Sequence, residues 1–141
     1  MGQKVNPIGL RLALNKNWSS HWFARKDNKN NFGDWLHEDL KIRSYIKKNF
    51  NNAAISKILV ERYGTRVRVT IYAARPGILI GRKGAELDAL KASVSKLLAQ
   101  GEELILDVVE IKQPETNAQL VAESVAQQLE RRIGFRRAMK K

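Results

Sequence analysis

The sequence predicts an α+β domain in which helices pack on one face of a three-stranded sheet. One observation is that Arg66–Ala73 alternates polar and apolar residues, which indicates a strand with one buried and one exposed face. Another is that apolar residues recur at helical spacing through residues 36–50, 87–98 and 121–133. The chain has 141 residues, 43% of them hydrophobic, so it is long enough to bury one core.

The first half of this domain is expected to contain a helix and a hairpin. The helix should begin near Asp34, a residue type that caps helices well, and should end at Asn49–Asn52. Ile55–Arg62 and Arg66–Ala73 then form two strands joined by a short turn that contains a glycine. The exposed face of this hairpin carries arginines.

The second half is expected to add a short helix, a long helix, a strand and a final helix. Pro76–Ile80 suits a short helix that begins with proline, and the long helix after it should end at Gly101. Leu104–Ile111 has the composition of a third strand. Thr116 and Gln119 match a capping box, which predicts the start of a last helix that continues to the end of the chain.

Composition excludes several classes of protein. The chain has no cysteine and only two histidines, so it offers no disulfide scaffold, thiol nucleophile, iron–sulfur site or metal site. It also lacks the P-loop pattern that cradles nucleotide phosphates, and its longest apolar run, Ile71–Ala74, is far too short to span a membrane. We therefore expect no catalytic residue, no cofactor and no small-molecule substrate.

The charge is strongly positive and unevenly distributed. Lys and Arg number 26 against 14 Asp and Glu, which gives a net charge of +12 at pH 7. Residues 1–33, 53–85 and 130–141 are basic, whereas residues 86–113 are acidic. Patches of one sign create a directed field, so the pattern favours a polyanionic partner over simple solubility.

The most informative motif is Gly81-Arg82-Lys83-Gly84, in which two glycines enclose two cations between a short helix and a long one. Glycine lets the backbone turn sharply and lets another backbone approach closely. The next helix is expected to turn its free N–H groups and positive end toward the loop, beside the two cations. The motif therefore predicts a site for a sugar–phosphate backbone, with an ordinary turn between helices as the alternative.

This segment resembles the I-G-x-x-G core of the KH domain, and the order of elements is similar to the type II arrangement of that domain. The resemblance reaches both ends of the chain. Three segments look like segments of one family, in the same order. They are Met1–Arg11 (MGQKVNPIGLR) at the start, Ala74–Gly77 (ARPG) before the loop and Gln128–Lys141 (QLERRIGFRRAMKK) at the end. That family is the bacterial or organellar third protein of the small ribosomal subunit.

The resemblance implies a structural, RNA-binding component of the small-subunit head that helps to position and unwind mRNA during translation. Its partners would be 16S-type rRNA, mRNA and neighbouring head proteins, with no membrane. Its place would be the cytoplasmic ribosome, with an organellar matrix or stroma as the other option. The residues expected to bind rRNA are Gly81, Arg82, Lys83, Gly84, Arg75, Arg66, Arg68, Lys4 and Arg11.

The resemblance also implies that Arg136, Arg137 and Lys140 grip mRNA where it enters the subunit. Arg132, Arg136 and Lys140 are four residues apart, so on a single helix they would line one side. Like charges at that spacing repel each other, and a polyanion facing them would relieve the repulsion. A solvated helix end is the alternative interpretation.

Three segments are expected along the chain. Residues 1–33 form an extended basic arm with a turn at Asn6–Gly9, residues 34–113 form the type II KH domain, and residues 114–141 form a basic helix. The resemblance implies that this helix leads to a second domain that is absent here. In the arm and the first helix, four aromatic residues are expected to pin the arm to the core, with base stacking as the alternative: Trp18, Trp22, Phe23 and Trp35.

Other functions remain open from the sequence. A free-standing KH-domain regulator or a ribosome assembly factor would share the same RNA-binding loop. An RNA-binding module of an enzyme such as a GTPase is disfavoured by the missing P-loop pattern. Membrane-surface binding is disfavoured because the basic arm has no amphipathic apolar face.

Overall fold

The computed structural model describes residues 2–24, 32–99 and 101–140. The arm cations Arg25, Lys26 and Lys29 lie outside these ranges. Within them the regular elements are α1 (Pro7–Arg11), β1 (Ser20–His21), α2 (Phe32–Asn49), β2 (Ile55–Tyr63), β3 (Arg66–Ala73), α3 (Pro76–Ile80), α4 (Ala85–Ser95), β4 (Glu103–Glu110), α5 (Ala118–Glu130) and α6 (Phe135–Met139). No helix in the described ranges has both the length and the apolar content needed to cross a bilayer.

The α+β class and the three predicted strands are confirmed. β2 and β3 form the antiparallel hairpin, and β4 runs parallel to β3. The sheet contains one strand more than predicted, because β1 of the arm pairs in parallel with Val60 and Glu61 of β2. The arm is therefore not simply extended, since a two-residue strand ties it to the edge of the sheet.

The core lies on one face of the sheet, as the alternating pattern of β3 predicts. Val67, Val69, Ile71 and Ala73 are buried, and the residues between them point to the other face. Helices α2 and α4 cover the buried face with apolar residues: Ile42, Ile46, Leu90 and Val94.

The parallel pairing of β3 and β4 determines where the glycine-framed loop lies. Parallel neighbours cannot be joined by a tight turn, so the chain must cross over between them. Here α3 and α4 make the crossover, and Gly81–Gly84 is the bend between these two helices.

Four predictions about local structure are corrected at the ends of helices. The long helix does not reach Gly101, because α4 ends at Ser95. Asn6–Gly9 is not an isolated turn, because the Asn6 side chain accepts from Ile8 N–H at 2.9 Å and caps α1. Asp34 does not cap α2, which is already helical at Phe32. The capping box at Thr116 is also wrong, because Asn117 accepts from the N–H groups of Gln119 and Leu120 and starts α5.

The predicted C-terminal helix is interrupted. α5 ends at Glu130, Arg132 adopts a left-handed φ of 60°, and α6 begins only after Gly134. This break turns the chain between two separate helices. The basic segment at residues 131–140 is therefore not one continuous helical surface.

Candidate nucleic-acid interface

The loop Gly81–Gly84 is a sharp bend with an unusual backbone. Gly81, Lys83 and Gly84 all have positive φ, with values of 68°, 55° and 83°. A Cβ built on Gly81 would lie 2.7 Å from Cγ of Glu86, so that position has no room for a side chain. The close approach of Glu86 and the positive φ together explain why the first position of the bend is glycine.

Cations surround this bend without internal partners. Arg82, Lys83 and the nearby Arg75 are exposed. In the described part of the chain, none of them lies within 4.0 Å of a carboxylate oxygen. Their charge is thus available to a ligand, as the sequence predicts.

The first turn of α4 contributes less than expected. The Ala85 N–H group donates to the Arg82 carbonyl, and acidic Glu86 and Asp88 already occupy the positive end of the helix. The attraction for an anion at this bend therefore comes mainly from the side chains of Arg82 and Lys83.

The arginines on the open face of the sheet are in a different situation. Arg66 Nε lies 2.9 Å from Oε2 of Glu103, and Arg68 Nε lies 3.6 Å from Oδ2 of Asp107. Both arginines are exposed, as predicted, but a neighbouring carboxylate partly compensates each charge. The parallel register places Glu103 opposite Arg66, which could be inferred only once β4 was known to pair with β3.

The predicted arm residues lie before and within helix α1. Lys4 and Arg11 are exposed, and Arg11 Nη1 donates to the Pro7 carbonyl at 2.9 Å. Helix α1 has no buried residue. The arm cations are therefore carried by a segment that contributes nothing to the core.

The C-terminal cations are exposed, but not along one helix side. Arg132 lies in the break, whereas Arg136 and Arg137 lie on α6 and Lys140 follows it. In the described residues, none of these four has a carboxylate oxygen within 4.0 Å. The availability of their charge matches the prediction, whereas the shared helix face for Arg132 is wrong.

Sequence reasoning assigned Arg62 to the basic stretch and missed that it is buried. Its side chain is only 2% exposed and is surrounded by three carboxylates. Glu38, Asp39 and Glu102 lie 2.9, 3.0 and 3.2 Å from its guanidinium nitrogens. Arg62 therefore stabilises the fold and is not available to an external anion. The sequence carries a signal for this burial: Arg62 is two residues after Val60, so in a strand both side chains point to the same, inward face.

The same cluster anchors the arm. Oδ2 of Asp39 accepts from Ser20 Oγ and from Trp22 Nε1, both at 2.8 Å. The Trp22 ring packs edge-on against Trp35 with 5.3 Å between centroids. The predicted role of the aromatic residues in pinning the arm is confirmed for these two, whereas Trp18 and Phe23 are exposed.

Burial changes the acidity of two groups in and near this cluster. Burial raises the pKa of the Glu102 carboxyl above its ordinary value, an effect that Arg62 opposes. Burial also lowers the pKa of the Arg43 guanidinium, which donates to the Ile58 and Ser19 carbonyls at 2.9 and 2.7 Å. Arg43 thus holds the segment before β1 against β2.

Comparison with known proteins places this geometry in a family. A family model of the KH domain matches residues 41–116, which include strands β2 to β4, the crossover and the bend. The whole chain is 56% identical to small ribosomal subunit protein uS3 of Caulobacter vibrioides (strain NA1000 / CB15N), of which it covers 54%. It is 55% identical to uS3 of Syntrophus aciditrophicus (strain SB), of which it covers 62%.

A third relative, uS3 of Pelagibacter ubique (strain HTCC1062), is 52% identical over the full chain, which covers 60% of that protein. The chain therefore spans between half and two thirds of the length of these relatives. The match to the KH model covers the α+β fold and its glycine-framed bend at the crossover. The chain therefore belongs to the KH domain family, and it is similar along its whole length to uS3 proteins.

Proposed function

We propose that this chain is a structural, non-catalytic RNA-binding component of the small ribosomal subunit head. Full-length similarity to uS3 proteins supports the assignment to the ribosome, and the KH-domain match supports RNA as the ligand. The relatives named above are bacterial, which favours a cytoplasmic ribosome over an organellar one. The proposed division is a basic arm at residues 1–33, a KH domain at 34–113 and a C-terminal segment at 114–141.

The observation that carries this proposal is the exposed bend with uncompensated cations. The exposed Arg82, Lys83 and Arg75 lie around a bend whose backbone turns through positive φ at Gly81 and Gly84. Phosphate contacts of this kind hold an RNA strand in place without reading its bases. We assign rRNA binding chiefly to this loop, with Lys4 and Arg11 of the arm as a second contact. Arg66 and Arg68 make a smaller contribution because acids already pair with them.

The C-terminal segment is proposed to contact mRNA where it enters the subunit. Its support is the group of exposed cations at Arg132, Arg136, Arg137 and Lys140, which have no acidic partner in the described residues. Such cations favour an unpaired strand by attracting its phosphates, while translocation supplies the work of unwinding. Exposed apolar residues of the arm, among them Leu10 and Leu14, suit contacts with neighbouring head proteins.

A double variant, Arg82→Asp with Lys83→Asp, tests the loop. It should weaken binding to single-stranded RNA and flatten the slope of log affinity against log salt by about 0.7 for each lost phosphate contact. Both side chains are exposed, so the fold should persist, which circular dichroism checks. The matched control is Lys91→Asp with Lys96→Asp, which changes the net charge by the same amount. Both lysines are exposed; Lys91 lies in α4 and Lys96 directly follows it.

The proposal is contradicted if the loop variant and the control give the same salt slope as the wild type. Sucrose-gradient sedimentation tests the ribosomal assignment separately. The wild-type chain should sediment with small subunits, and the loop variant should shift toward the top of the gradient. A wild-type chain found only at the top would instead favour a free-standing KH regulator.

A further inference from the structure

The C-terminal cations border an apolar cleft that the proposed function does not use. An open cleft of about 1060 Å³ lies beside α6. We call it the α6 cleft; its apolar lining comes from Ile133, Phe135 and Met139, and its basic lining from Arg136, Arg137 and Lys140. None of the described residues that line the cleft carries a carboxylate, so the field of this lining attracts anions.

Phe135 is the exposed aromatic residue of this cleft. Its side chain is 67% exposed, and the guanidinium carbon of Arg136 lies 5.9 Å from the centroid of its ring. Ala138, three residues further along α6, is buried and anchors the short helix. The ring is therefore offered to solvent from a helix that is itself anchored, with positive charge beside it.

We propose that Phe135 is a stacking platform for an unpaired nucleobase of single-stranded RNA whose phosphates lie against Arg136, Arg137 and Lys140. This inference rests on the proposed function and adds to it a contact with the bases. Single-strand binding sites commonly combine a basic groove with an aromatic residue on which a base stacks. A duplex keeps its bases stacked on one another, so it cannot use such a platform.

The charge of the cleft favours RNA over a protein partner as the occupant. An apolar surface that binds protein tends to have few charged residues at its centre. Here Arg136 lies beside the phenylalanine ring, Arg137 and Lys140 line the same cleft, and none of the described residues of the lining is acidic. A polyanion that also carries flat apolar rings satisfies both features at once, and single-stranded RNA has this chemistry.

Stacking and phosphate contacts can be separated by salt. Phosphate contacts release counterions and set the slope of log affinity against log salt, whereas stacking releases none. Removing the ring should therefore lower affinity at every salt concentration and leave the slope unchanged. Removing the cations should change the slope.

The test uses the 141-residue chain with three probes: oligouridylate, an abasic ribose–phosphate oligomer of the same length, and an RNA duplex. Phe135→Ala should weaken oligouridylate binding by about 5-fold to about 100-fold. Its affinity for the abasic oligomer and for the duplex should stay within about twofold of the wild type. Phe135→Trp should retain oligouridylate binding, because indole also stacks.

Tyr63→Ala is the matched control, since Tyr63 is also an exposed aromatic residue but lies at the end of β2, outside the α6 cleft. This control should bind all three probes as the wild type does. Arg136→Gln with Arg137→Gln and Lys140→Gln should flatten the salt slope for both single-stranded probes.

Two results would overturn the inference. One is that Phe135→Ala weakens binding to oligouridylate and to the abasic oligomer equally, because no base contact would then exist. The other is that Phe135→Ala leaves RNA binding intact but abolishes self-association in sedimentation velocity, which would make the cleft a protein interface. Either result leaves the proposed function standing as long as Arg82→Asp with Lys83→Asp still weakens RNA binding.

Discussion

Arg62 and Arg82 belong to the same basic stretch of sequence, yet they have opposite roles. The Arg62 side chain is 2% exposed and has three carboxylates within 3.2 Å. Arg82 is exposed and has no carboxylate within 4.0 Å in the described residues. One arginine joins elements of the fold, and the other is available to an external anion.

The difference teaches that the carboxylates within reach decide what a cation does. The partners of Arg62 come from α2 and from the residue before β4, which are far from it in sequence. No count of charges along the chain could have found them. Arg66 and Arg68 are intermediate, because they are exposed and each has one acid nearby.

The largest effect is expected from Arg62→Met, which removes the cation and keeps much of the apolar side-chain volume. Glu38, Asp39 and Glu102 would be left close together without their shared partner. Breaking a buried ion pair by removing one member costs about 3–5 kcal/mol, and we expect a loss of that size in the free energy of unfolding. Urea titration followed by circular dichroism measures it.

Arg66→Gln is the control for that measurement, since it removes one member of an exposed pair. Its cost should be between about 0.2 and 1 kcal/mol. If Arg62→Met costs no more than Arg66→Gln, the buried cluster does not stabilise the fold and the comparison fails.

A smaller effect is expected from Gly81→Ala, which changes the shape of the bend and not its charge. Gly81 has φ 68° and ψ −169°, a region that is essentially limited to glycine, and a Cβ there would meet Glu86. We expect a loss of about 2–4 kcal/mol in unfolding free energy from strain and overpacking together. We also expect weaker RNA binding, because Arg82 and Lys83 would be displaced.

Gly84→Ala provides the comparison within the same bend. Gly84 also has a positive φ, but open space surrounds the position where its Cβ would be. Its cost should be limited to the left-handed backbone, about 1–2 kcal/mol. Equal losses for the two variants in thermal or urea unfolding would show that the close contact with Glu86 has no energetic weight.

The smallest effect is expected from Glu102→Gln, which removes one acid of the cluster and retains an acceptor for Arg62. Burial raises the pKa of Glu102, so the folded state binds its proton more tightly than the unfolded state does. The wild-type free energy of unfolding should therefore fall as pH rises from about the ordinary value of 4.5 through the raised pKa. Above that range the loss should be constant.

The variant should lack this part of the pH dependence, so its stability relative to the wild type should improve as pH rises through that range. Unfolding curves at a series of pH values would show it. A variant whose stability relative to the wild type declines as pH rises would mean that Arg62 outweighs desolvation at Glu102.

The sequence predicted the elements that repeat a pattern and missed those set by single contacts. The alternation in β3 and the apolar stripe of α2 correctly gave the layers of the fold. The cap of α5 was misplaced by one residue because the Thr116 hydroxyl donates to the Gln113 carbonyl, which leaves Asn117 to cap the helix. Capping depends on which of two adjacent polar side chains reaches the free amides, and spacing alone does not decide that.

For the candidate site too, the sequence predicted one part, the bend, and missed another, the break in the C-terminal helix. Glycines around two cations indicate an exposed bend, and the structure has one at Gly81–Gly84. The interruption at residues 131–134 was missed because a non-glycine residue, Arg132, takes the left-handed conformation there. Such a conformation is uncommon outside glycine, so helical spacing through Ile133 was a misleading guide.

The two-residue strand β1 has a consequence for the order of events during synthesis. Ser20 and His21 leave the ribosome well before Val60 and Glu61, the residues they pair with. The other anchor of Ser20, Asp39, also needs Arg62 before its charge is compensated. The arm, which is synthesised first, therefore cannot take its place at the edge of the sheet until the β2–β3 hairpin has emerged.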